Sequence, residues 1–308
     1  MIKIKNLHKS YGDIQALKGI DIEIKEGEFY GLLGPNGAGK TTTINILSTI
    51  LKPDDGEIFI NGFNLKTDAK QCKNYIGIVP QEIALYDDLT AYDNLFFWGK
   101  LYKINNKLLS KKINELLNLM GLEERKNHKI KTFSGGMKRR INIACALLHS
   151  PKIILMDEPT VGVDPQSRNL IFEALRKLHQ QGTTIIYTTH YMEEVEKLCN
   201  KISIIDYGKI IAQGSINELK KLSKISESII IYSDSELKEK KEIISNSIKI
   251  PFDIYDNNIK FYTNNINTDL SKIINEINTI GINITNIELK KTNLETLFLE
   301  LTGRKLRD

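Results

Sequence analysis

The chain has 308 residues, 41% of them hydrophobic, and a net charge of +5 from 43 lysines and arginines against 38 acidic residues. This length allows one large or two ordinary domains, and opposite charges mixed along the chain disfavour an electrostatic grip on nucleic acid. Three scattered cysteines exclude a disulfide framework or a metal knuckle and favour a reducing cytosol.

The amino terminus, Met-Ile-Lys-Ile-Lys-Asn, predicts a strand and lacks the pattern of a signal peptide. No apolar run approaches the ~20 residues that are needed to cross a bilayer. We therefore expect that any membrane role of this chain depends on another chain.

The segment 34–41 reads Gly-Pro-Asn-Gly-Ala-Gly-Lys-Thr and fits the pattern G-x-x-x-x-G-K-[ST] at every fixed position. It lies between an apolar strand predicted over 29–33 and a helix predicted over 41–51, a context that disfavours a chance match. Glycines let backbone amides surround an anion at a helix N-terminus. Lys40 adds a point charge, and the Thr41 hydroxyl can bind Mg²⁺. The predicted nucleoside triphosphate site comprises Gly34, Pro35, Asn36, Gly37, Ala38, Gly39, Lys40, Thr41 and Thr42.

A second pattern is a continuous apolar strand over 153–157 that ends in Asp157 and Glu158. Strands buried on both faces suit a parallel sheet, and ligand-directed groups lie at the carboxyl edge of such a sheet. We expect Asp157 to hold Mg²⁺ through a water, and Glu158 to act on the attacking water as general base or polariser. Two acids that cap a helix are the alternative, which is weak beside the loop at Gly34.

A third pattern, Phe-Ser-Gly-Gly-Met-Lys-Arg-Arg over 133–140, precedes a helix predicted to extend to Leu148. Ser134 is a good N-cap, and Gly135 and Gly136 bare the backbone amides, so this is a second anion-binding helix start. One chain has little use for two γ-phosphate sites unless the second serves the nucleotide of another molecule.

Together these patterns resemble the ATP-binding cassette (ABC) ATPases over about residues 1–215. The resemblance implies an α/β fold with a P-loop core, in which a parallel sheet is joined by an antiparallel β subdomain and by a helical subdomain at about 82–132. It implies that Tyr11 stacks on adenine, that Gln81 senses Mg²⁺ and the attacking water, and that His190 contacts the γ-phosphate. Ser134, Gly135 and Gly136 match the signature loop of the family, and Asp164 matches the loop that crosses a dimer interface. Alone, Tyr11, Gln81 or His190 could be a packing or surface residue, but their joint order favours these roles.

The resemblance thus assigns catalysis to Glu158, His190, Gln81 and Lys40, and Mg²⁺ to Thr41, Gln81 and Asp157. Phe133 and Met137 replace the leucine and glutamine that are usual in the signature. We expect Phe133 to keep the packing role and Met137 to lose a side-chain hydrogen bond. Residues 138–140, Lys-Arg-Arg, either add positive field near the phosphates or form a solvated or acid-paired helix face.

Thr90 is predicted to cap a helix over 91–102, and residues 108–120 show helical apolar spacing before a stop at Gly121. By resemblance, this helical subdomain docks onto a transmembrane partner. We expect most of its aromatic residues to lie in the core, and some to line a groove for a short helix of the partner together with residues 85–88. These aromatic residues are Phe96, Phe97, Trp98 and Tyr102.

The ATPase domain is predicted to span 1–222 and to end after a hairpin-like turn at 206–214 and a helix over 216–222. The remainder follows a β-α-β-β-α-β order with a final helix at 294–301, which predicts a small ferredoxin-like α+β domain over 223–308. No catalytic constellation occurs there, so a packing or dimer-supporting role is favoured over a regulatory ligand site. The tail at 294–304 and the segment 165–168 resemble ATPases of bacterial drug exporters of the daunorubicin-resistance type, which work with a separately encoded permease.

The resemblance therefore implies an ATP hydrolase that uses ATP and Mg²⁺ at the cytoplasmic face of the membrane and powers export, with a drug or antibiotic as the first candidate cargo. It implies a head-to-tail homodimer or heterodimer around ATP, a polytopic permease as partner, and no nucleic acid partner. Lipid, sodium ion and polysaccharide export are alternatives. Translation factors of this superfamily carry two such domains in one chain, and DNA-maintenance ATPases carry a long coiled coil between the motifs; this chain has neither feature.

Overall fold

The computed structural model describes residues 1–222, 227–234, 237–263, 265–290 and 294–302. The chain folds into two compact units, one that spans Met1–Ile216 and one that begins at Asn217. The predicted boundary between residues 222 and 223 falls slightly later, and the assignment of domains stays a prediction. The end of the tail pattern, at 303 and 304, lies outside the described residues.

The first unit alternates strands with helices along the chain. Its strands are β1 (Ile2–Tyr11), β2 (Ile14–Ile24), β3 (Phe29–Leu33), β4 (Asp55–Ile60), β5 (Phe63–Asn64), β6 (Ile76–Val79), β7 (Ile153–Asp157), β8 (Thr184–Thr189), β9 (Lys201–Asp206) and β10 (Lys209–Ser215). Its helices are α1 (Lys40–Leu47), α2 (Ala69–Asn74), α3 (Ala91–Leu101), α4 (Asn106–Leu119), α5 (Gly135–Leu147), α6 (Pro165–Gln180) and α7 (Met192–Leu198), and α8 (Ile216–Leu222) follows at its end.

Two sheets organise this unit. One is antiparallel, in the order β2-β1-β4-β5. In the other, of order β10-β9-β3-β8-β7-β6, all neighbours are parallel except the β10–β9 pair. Leu33 lies opposite Thr189, and Thr188 lies opposite Asp157. The carboxyl ends of β3, β8 and β7 are therefore level, and the loops that follow them leave from one edge of the sheet.

The burial of the strands explains why they take these places. Every residue of β3 and of β7 is buried, as expected for central parallel strands covered by helices on both faces. In β1, by contrast, Ile2 and Ile4 are buried while Lys3 and Lys5 are exposed. This alternation is typical of a sheet with one solvated face. The predicted parallel sheet and antiparallel β subdomain are confirmed.

The helical segment differs from its prediction in one respect. The Thr90 side chain caps α3 by accepting a hydrogen bond from the Asp93 amide at 3.0 Å, as predicted. None of the four predicted core aromatics, however, is fully buried. Phe97 is 38% exposed and Tyr102 is 44% exposed, while Phe96 and Trp98 are half-buried. The prediction was wrong because the helical period turns a different set inward, namely Ala91, Asn94, Leu95 and Gly99.

Helix α4 begins earlier than predicted. The Asn105 side chain caps it by accepting a hydrogen bond from the Lys107 amide at 3.0 Å, so the helix starts at Asn106 instead of residue 108. Gly121, with a φ of 62°, lies just beyond its end, where a left-handed residue commonly stops a helix. The predicted stop is thus in place.

The second unit contains β11 (Glu227–Ser233), α9 (Lys241–Ser247), β12 (Phe252–Ile254), β13 (Asn258–Thr263), α10 (Ile266–Thr279), β14 (Ile284–Lys290) and α11 (Leu294–Thr302). Its sheet is antiparallel in the order β12-β13-β11-β14. Ile229, Ile231 and Phe261 of this sheet share a core with Ile273 and Ile277 of α10. The predicted ferredoxin-like order of elements is confirmed. Across the described residues, no helix combines the length and the apolar character required to span a membrane.

Gly77 sets the distance between β6 and α5, and its replacement should be costly. A Cβ on Gly77 would overlap the Ala146 carbonyl oxygen and crowd Pro151. Because the obstacle is backbone, we expect Gly77→Ala to lower the free energy of unfolding by about 1–3 kcal/mol in urea denaturation. Gly99→Ala is the matched control, since the three atoms nearest to its Cβ would belong to the Leu109 side chain and not to backbone. An equal or larger loss in the control would contradict this account.

Candidate functional site

The loop between β3 and α1 is shaped by glycine. Gly37 and Gly39 have φ of 80° and 113°, in the left-handed region that side chains rarely adopt. A Cβ on Gly34 would overlap the Ile205 carbonyl oxygen, and a Cβ on Gly39 would crowd the Ala16 carbonyl oxygen. The loop therefore packs through bare backbone against neighbouring strands, in the predicted strand–loop–helix order.

Lys40 projects from the first turn of α1 into this loop. Its Nζ donates hydrogen bonds to the carbonyl oxygens of Gly34 at 2.8 Å and Pro35 at 3.0 Å, and it lies 2.9 Å from Glu158 Oε1. The side chains of Lys40 and Glu158 are only 4% and 7% exposed. A buried pair repays the cost of its desolvation only with further hydrogen bonds, and here the two carbonyl oxygens supply them to the Lys40 ammonium.

The turn after β7 presents Glu158 to Lys40. Glu158 has a φ of 44°, an unusual left-handed conformation for a residue with a side chain, at a cost of about 1–3 kcal/mol. The Thr188 hydroxyl holds this turn, because it accepts a hydrogen bond from the Glu158 amide at 2.9 Å and donates one to Asp157 Oδ1 at 2.7 Å.

His190 approaches the same carboxylate from the end of β8. Its Nδ1 lies 3.4 Å from Glu158 Oε1, without the alignment of a hydrogen bond. The Tyr191 ring lies against the imidazole, with 4.1 Å between ring centroids. The structure thus brings together Lys40, Glu158 and His190, three of the four predicted catalytic residues, at one edge of the sheet. Their roles remain predictions.

The polar groups at this edge of the sheet fit a triphosphate with Mg²⁺. A bare helix start and an ammonium suit phosphate oxygens, while the exposed Thr41 hydroxyl and the Asp157 carboxylate are oxygen ligands of the kind Mg²⁺ prefers. No group of three or more His, Cys, Asp or Glu that could hold a metal occurs among the described residues. Mg²⁺ bound with phosphate oxygens and water in its shell is consistent with so few protein ligands.

The signature loop, residues 134–136, lies beside the loop of Asp164. Ser134 caps α5 by accepting a hydrogen bond from the Met137 amide at 3.2 Å, as predicted. A Cβ on Gly136 would overlap Ser167 and come within 3.0 Å of Asp164 Oδ2. Asp164 in turn caps α6, and the hydrogen bond that it accepts from the Ser167 amide at 2.8 Å lowers its pKa. Two predicted dimer-contact loops thus share one surface.

Two predicted residues lie further out. Tyr11 is 49% exposed at the hairpin of β1 and β2, opposite Ile14. The Gln81 side chain is exposed just beyond β6. Stacking of Tyr11 on adenine and sensing of Mg²⁺ by Gln81 stay predictions.

The three basic residues at 138–140 have different kinds of partner. Lys138 Nζ lies 2.7 Å from Asp87 Oδ1, which is the acid-paired alternative. Arg139 and Arg140 are instead buried, and burial lowers the pKa of both guanidinium groups. Arg140 Nη1 donates to the Met120 carbonyl oxygen at 2.7 Å, and Arg139 binds the carbonyl oxygens of Pro80 and Gln81. A solvated helix face is therefore wrong for these two arginines.

The sequence reasoning missed a buried carboxylate, Glu194 of α7, which is 2% exposed. It accepts hydrogen bonds from the hydroxyls of Thr160 at 2.8 Å, Tyr187 at 2.8 Å and Thr189 at 2.9 Å. Burial, and then the charge of Glu194, raise the pKa of Tyr187 well above its usual value. Glu194 thus connects the segment after Glu158 to β8, the strand that precedes His190.

A local signal could have found Glu194. Val195 and Leu198 are buried on the same face of α7 as Glu194. In a helix, a carboxylate that is followed by aliphatic residues one and four positions later shares their face, so its charge points inward with them. A buried charge needs hydrogen-bond partners.

Removing this carboxylate should destabilise the first unit. Glu194→Ala leaves three buried hydroxyls without their acceptor, so we expect the free energy of unfolding to fall by about 3 kcal/mol or more in urea denaturation. Glu193→Ala is the matched control, because its side chain is 88% exposed and 3.7 Å from Lys197, an exposed pair worth under about 1 kcal/mol. Losses of similar size in both variants would contradict the network.

The chain is similar to known proteins over its whole length. A family model described as ABC transporter matches residues 17–161. The chain is 44% identical to the linearmycin resistance ATP-binding protein LnrL of Bacillus subtilis (strain 168), with 100% of both chains covered. It is 34% identical to the Nod factor export ATP-binding protein I of Cupriavidus metallidurans, which covers 100% of this chain and 99% of that protein.

Among solved structures, the chain is similar to a dimeric post-hydrolysis state of the ATP-binding cassette MJ0796 bound to ADP and Pi. The TM-score is 0.64 at 33% identity, over 70% of this chain and 98% of that chain. The predicted likeness to ATPases of drug-resistance exporters is confirmed by the linearmycin resistance relative. With full-length identity of this degree, the chain belongs to the ATP-binding subunits of ABC transporters.

Proposed function

We propose that this protein is the ATP-hydrolysing subunit of an ABC exporter, and that it powers a separately encoded permease from the cytoplasmic face of the membrane. The observation that carries the proposal is the contact of Lys40, Glu158 and His190 at the carboxyl edge of the parallel sheet. Full-length likeness to subunits named for linearmycin resistance and Nod factor export supports the export role.

The ion pair suggests how the site acts on ATP. A phosphate that enters the loop competes with Glu158 for the Lys40 ammonium, because both are anions and Lys40 Nζ lies 2.9 Å from the carboxylate. Once Lys40 turns to the phosphate, Glu158 is free to accept a proton from a water, and His190 can donate a hydrogen bond to the same region. Mg²⁺, held by Thr41 and Asp157 with Gln81 nearby, would neutralise charge on the phosphates.

A clamp formed by two copies of the chain would give the second anion-binding helix start, at Ser134, a ligand. Each ATP would lie between the Lys40 loop of one subunit and the Ser134 loop of the other, so that ATP forms part of the interface. The dimeric state of the MJ0796 cassette supports such a pair. ATP can close the clamp only by binding the closed state more tightly than the open state, and bridging both subunits supplies that difference. The partner can be a second copy or a related chain.

A permease would dock on the helical segment. Tyr86 is 48% exposed and packs edge-on against Phe97, with 5.0 Å between ring centroids. Exposed aromatic side chains are frequent anchors of protein interfaces. Asp88 is held by Lys131 at 3.0 Å, which lowers the pKa of Asp88 and fixes the segment beside Tyr86. We propose this surface as the groove for a short permease helix.

The names of the two relatives suggest two different kinds of cargo. The linearmycin resistance relative favours a drug or antibiotic, and its 44% identity exceeds the 34% of the Nod factor export relative. We therefore propose drug or antibiotic export, with lipid, sodium ion or polysaccharide export as the alternative. Assays of resistance and of export in vesicles that contain this chain and its permease decide between them.

Glu158→Gln tests the catalytic assignment. The neutral amide cannot take up a proton from water and competes less with a phosphate for Lys40. We expect ATP binding to be retained and turnover to fall by ~10²–10⁴-fold, measured as equilibrium ATP binding and phosphate release. Glu193→Gln, on the exposed face of α7, is the control that should change neither quantity.

Near-normal turnover of Glu158→Gln would refute the assignment of Glu158. The same variant should form dimers in saturating MgATP, as followed by light scattering. If it stays monomeric, both alone and with its permease, the clamp is wrong.

Tyr86→Ala tests the docking surface. Loss of a central aromatic anchor typically costs about 2 kcal/mol or more, so we expect the affinity for the permease to fall by about thirtyfold or more. The ratio of permease-stimulated to basal turnover should fall with it. Leu108→Ala is the control, since Leu108 is 61% exposed in the same helical segment outside residues 85–88. Unchanged assembly and stimulation in Tyr86→Ala would exclude this groove.

A further inference from the structure

Helix α5 holds the backbone of Gln81 in place. Arg139 Nη1 donates to the Pro80 carbonyl oxygen at 2.7 Å, and Arg139 Nη2 donates to the Gln81 carbonyl oxygen. The arginine is 4% exposed, so its guanidinium is largely shielded from water. Hydrogen bonds from a charged donor are about twice as strong as those between neutral groups. One guanidinium therefore fixes two successive peptide groups at the exit of β6.

Other side chains of α5 extend this attachment along the same segment. Asn142 Oδ1 accepts a hydrogen bond from the Ala84 amide at 3.4 Å, and its Nδ2 donates to the Glu82 carbonyl oxygen at 3.5 Å. Lys138 binds Asp87 at 2.7 Å, on the surface. The segment 80–87 thus lies along α5 with Arg139 as its strongest buried tie.

Arg140 shows that burial alone does not explain Arg139. It lies next in the chain, is 6% exposed, and also binds backbone carbonyls, those of Met120 and Gly121. Its partners lie at the end of α4, away from the residues assigned to catalysis. Arg139 instead binds the residue predicted to sense Mg²⁺ and the attacking water.

We propose that Arg139 is a positioning residue that locks Gln81 to the signature loop of its own subunit. The inference rests on the proposed function, in which Gln81 serves one nucleotide and the Ser134 loop serves the nucleotide bound by the partner subunit. The Ser134 loop begins α5, and the Gln81 peptide is bonded to α5 through Arg139, so a displacement of this helix moves both together. A permease that pushes on the segment 80–87 would then adjust two ATP sites at once.

The tie itself is tested in the full-length protein with a nitroxide label on Glu82→Cys. Glu82 is exposed, while the native cysteines are all buried, so the label has one reactive target. We expect Arg139→Gln to raise the mobility of the label in its electron paramagnetic resonance spectrum, with a rotational correlation time shortened about twofold or more. Arg140→Gln, the matched control, should leave the spectrum unchanged. A label that stays immobile in Arg139→Gln overturns the proposal.

The route through Gln81 is tested by the Mg²⁺ dependence of ATP turnover. Arg139→Gln removes the hydrogen bond from a charged guanidinium to the Gln81 carbonyl oxygen. We therefore expect the Mg²⁺ concentration for half-maximal turnover to rise about tenfold in this variant. Arg140→Gln should leave that concentration unchanged. Arg139→Lys, which keeps the charge with one fewer planar donor, should recover part of the shift. In a Gln81→Ala background, Arg139→Gln should add less than about twofold, since the positioned group is gone.

An equal shift with and without Gln81 would show that Arg139 does not act through Gln81, and it would overturn the proposal. Gln81→Ala without any Mg²⁺ effect would instead contradict the role proposed for Gln81. In that case the label spectrum alone decides whether Arg139 holds the segment.

Discussion

The site depends on the register of the parallel strands. Because β3, β8 and β7 end level with one another, the loops that carry Lys40, His190 and Glu158 meet at one edge. The buried contact of 2.9 Å between Lys40 and Glu158 is possible only in this register. A shift of β7 by one residue would turn its side chains to the opposite faces of the sheet and remove Glu158 from the loop. The left-handed turn at Glu158 and its bond to Thr188 are supported by the same alignment.

Buried charges connect the elements that surround this edge. Glu194 gathers hydroxyl donors from two segments, whereas Arg139 gathers carbonyl acceptors from the exit of β6. A carboxylate can only accept and a guanidinium can only donate, so the two groups recruit different partners. Each fixes a turn that lacks regular secondary structure of its own. Groups fixed in advance need not reorganise when charge develops on a substrate, which is the main source of electrostatic catalysis.

Much of this was predictable from local pattern. The loop at Gly34, the strand that ends at Asp157 and the Ser134 cap each depend on residues within about ten positions, where spacing and strand or helix period carry the information. The β-α-β-β-α-β order of the second unit follows from the same signals, although several boundaries moved by a few residues.

Two of the misses share a physical cause, which is contact between distant parts of the chain. Arg139 and Gln81 are 58 residues apart, and Glu194 and Thr160 are 34 residues apart. Local composition gives no sign of such a pairing. The aromatic residues at 96–98 failed for another reason, since hydrophobicity suggested burial while the helical period assigned the inner face to Leu95 and Gly99. Counting positions along the helical period would have predicted the buried face of α3 better than hydrophobicity did.

The arrangement of α5 also bears on how two sites communicate. The first turn of α5 presents backbone amides that can bind an anion without help from the side chain at position 137. Methionine at this position therefore removes one side-chain contact and leaves the anion-binding helix start intact. The same helix, one turn later, binds the Gln81 peptide through Arg139. Coupling between two sites is a free energy that both must share through an element with two positions. Helix α5 is bonded at both points, so a displacement of this helix would change the contacts of the Ser134 loop and of the Gln81 peptide together.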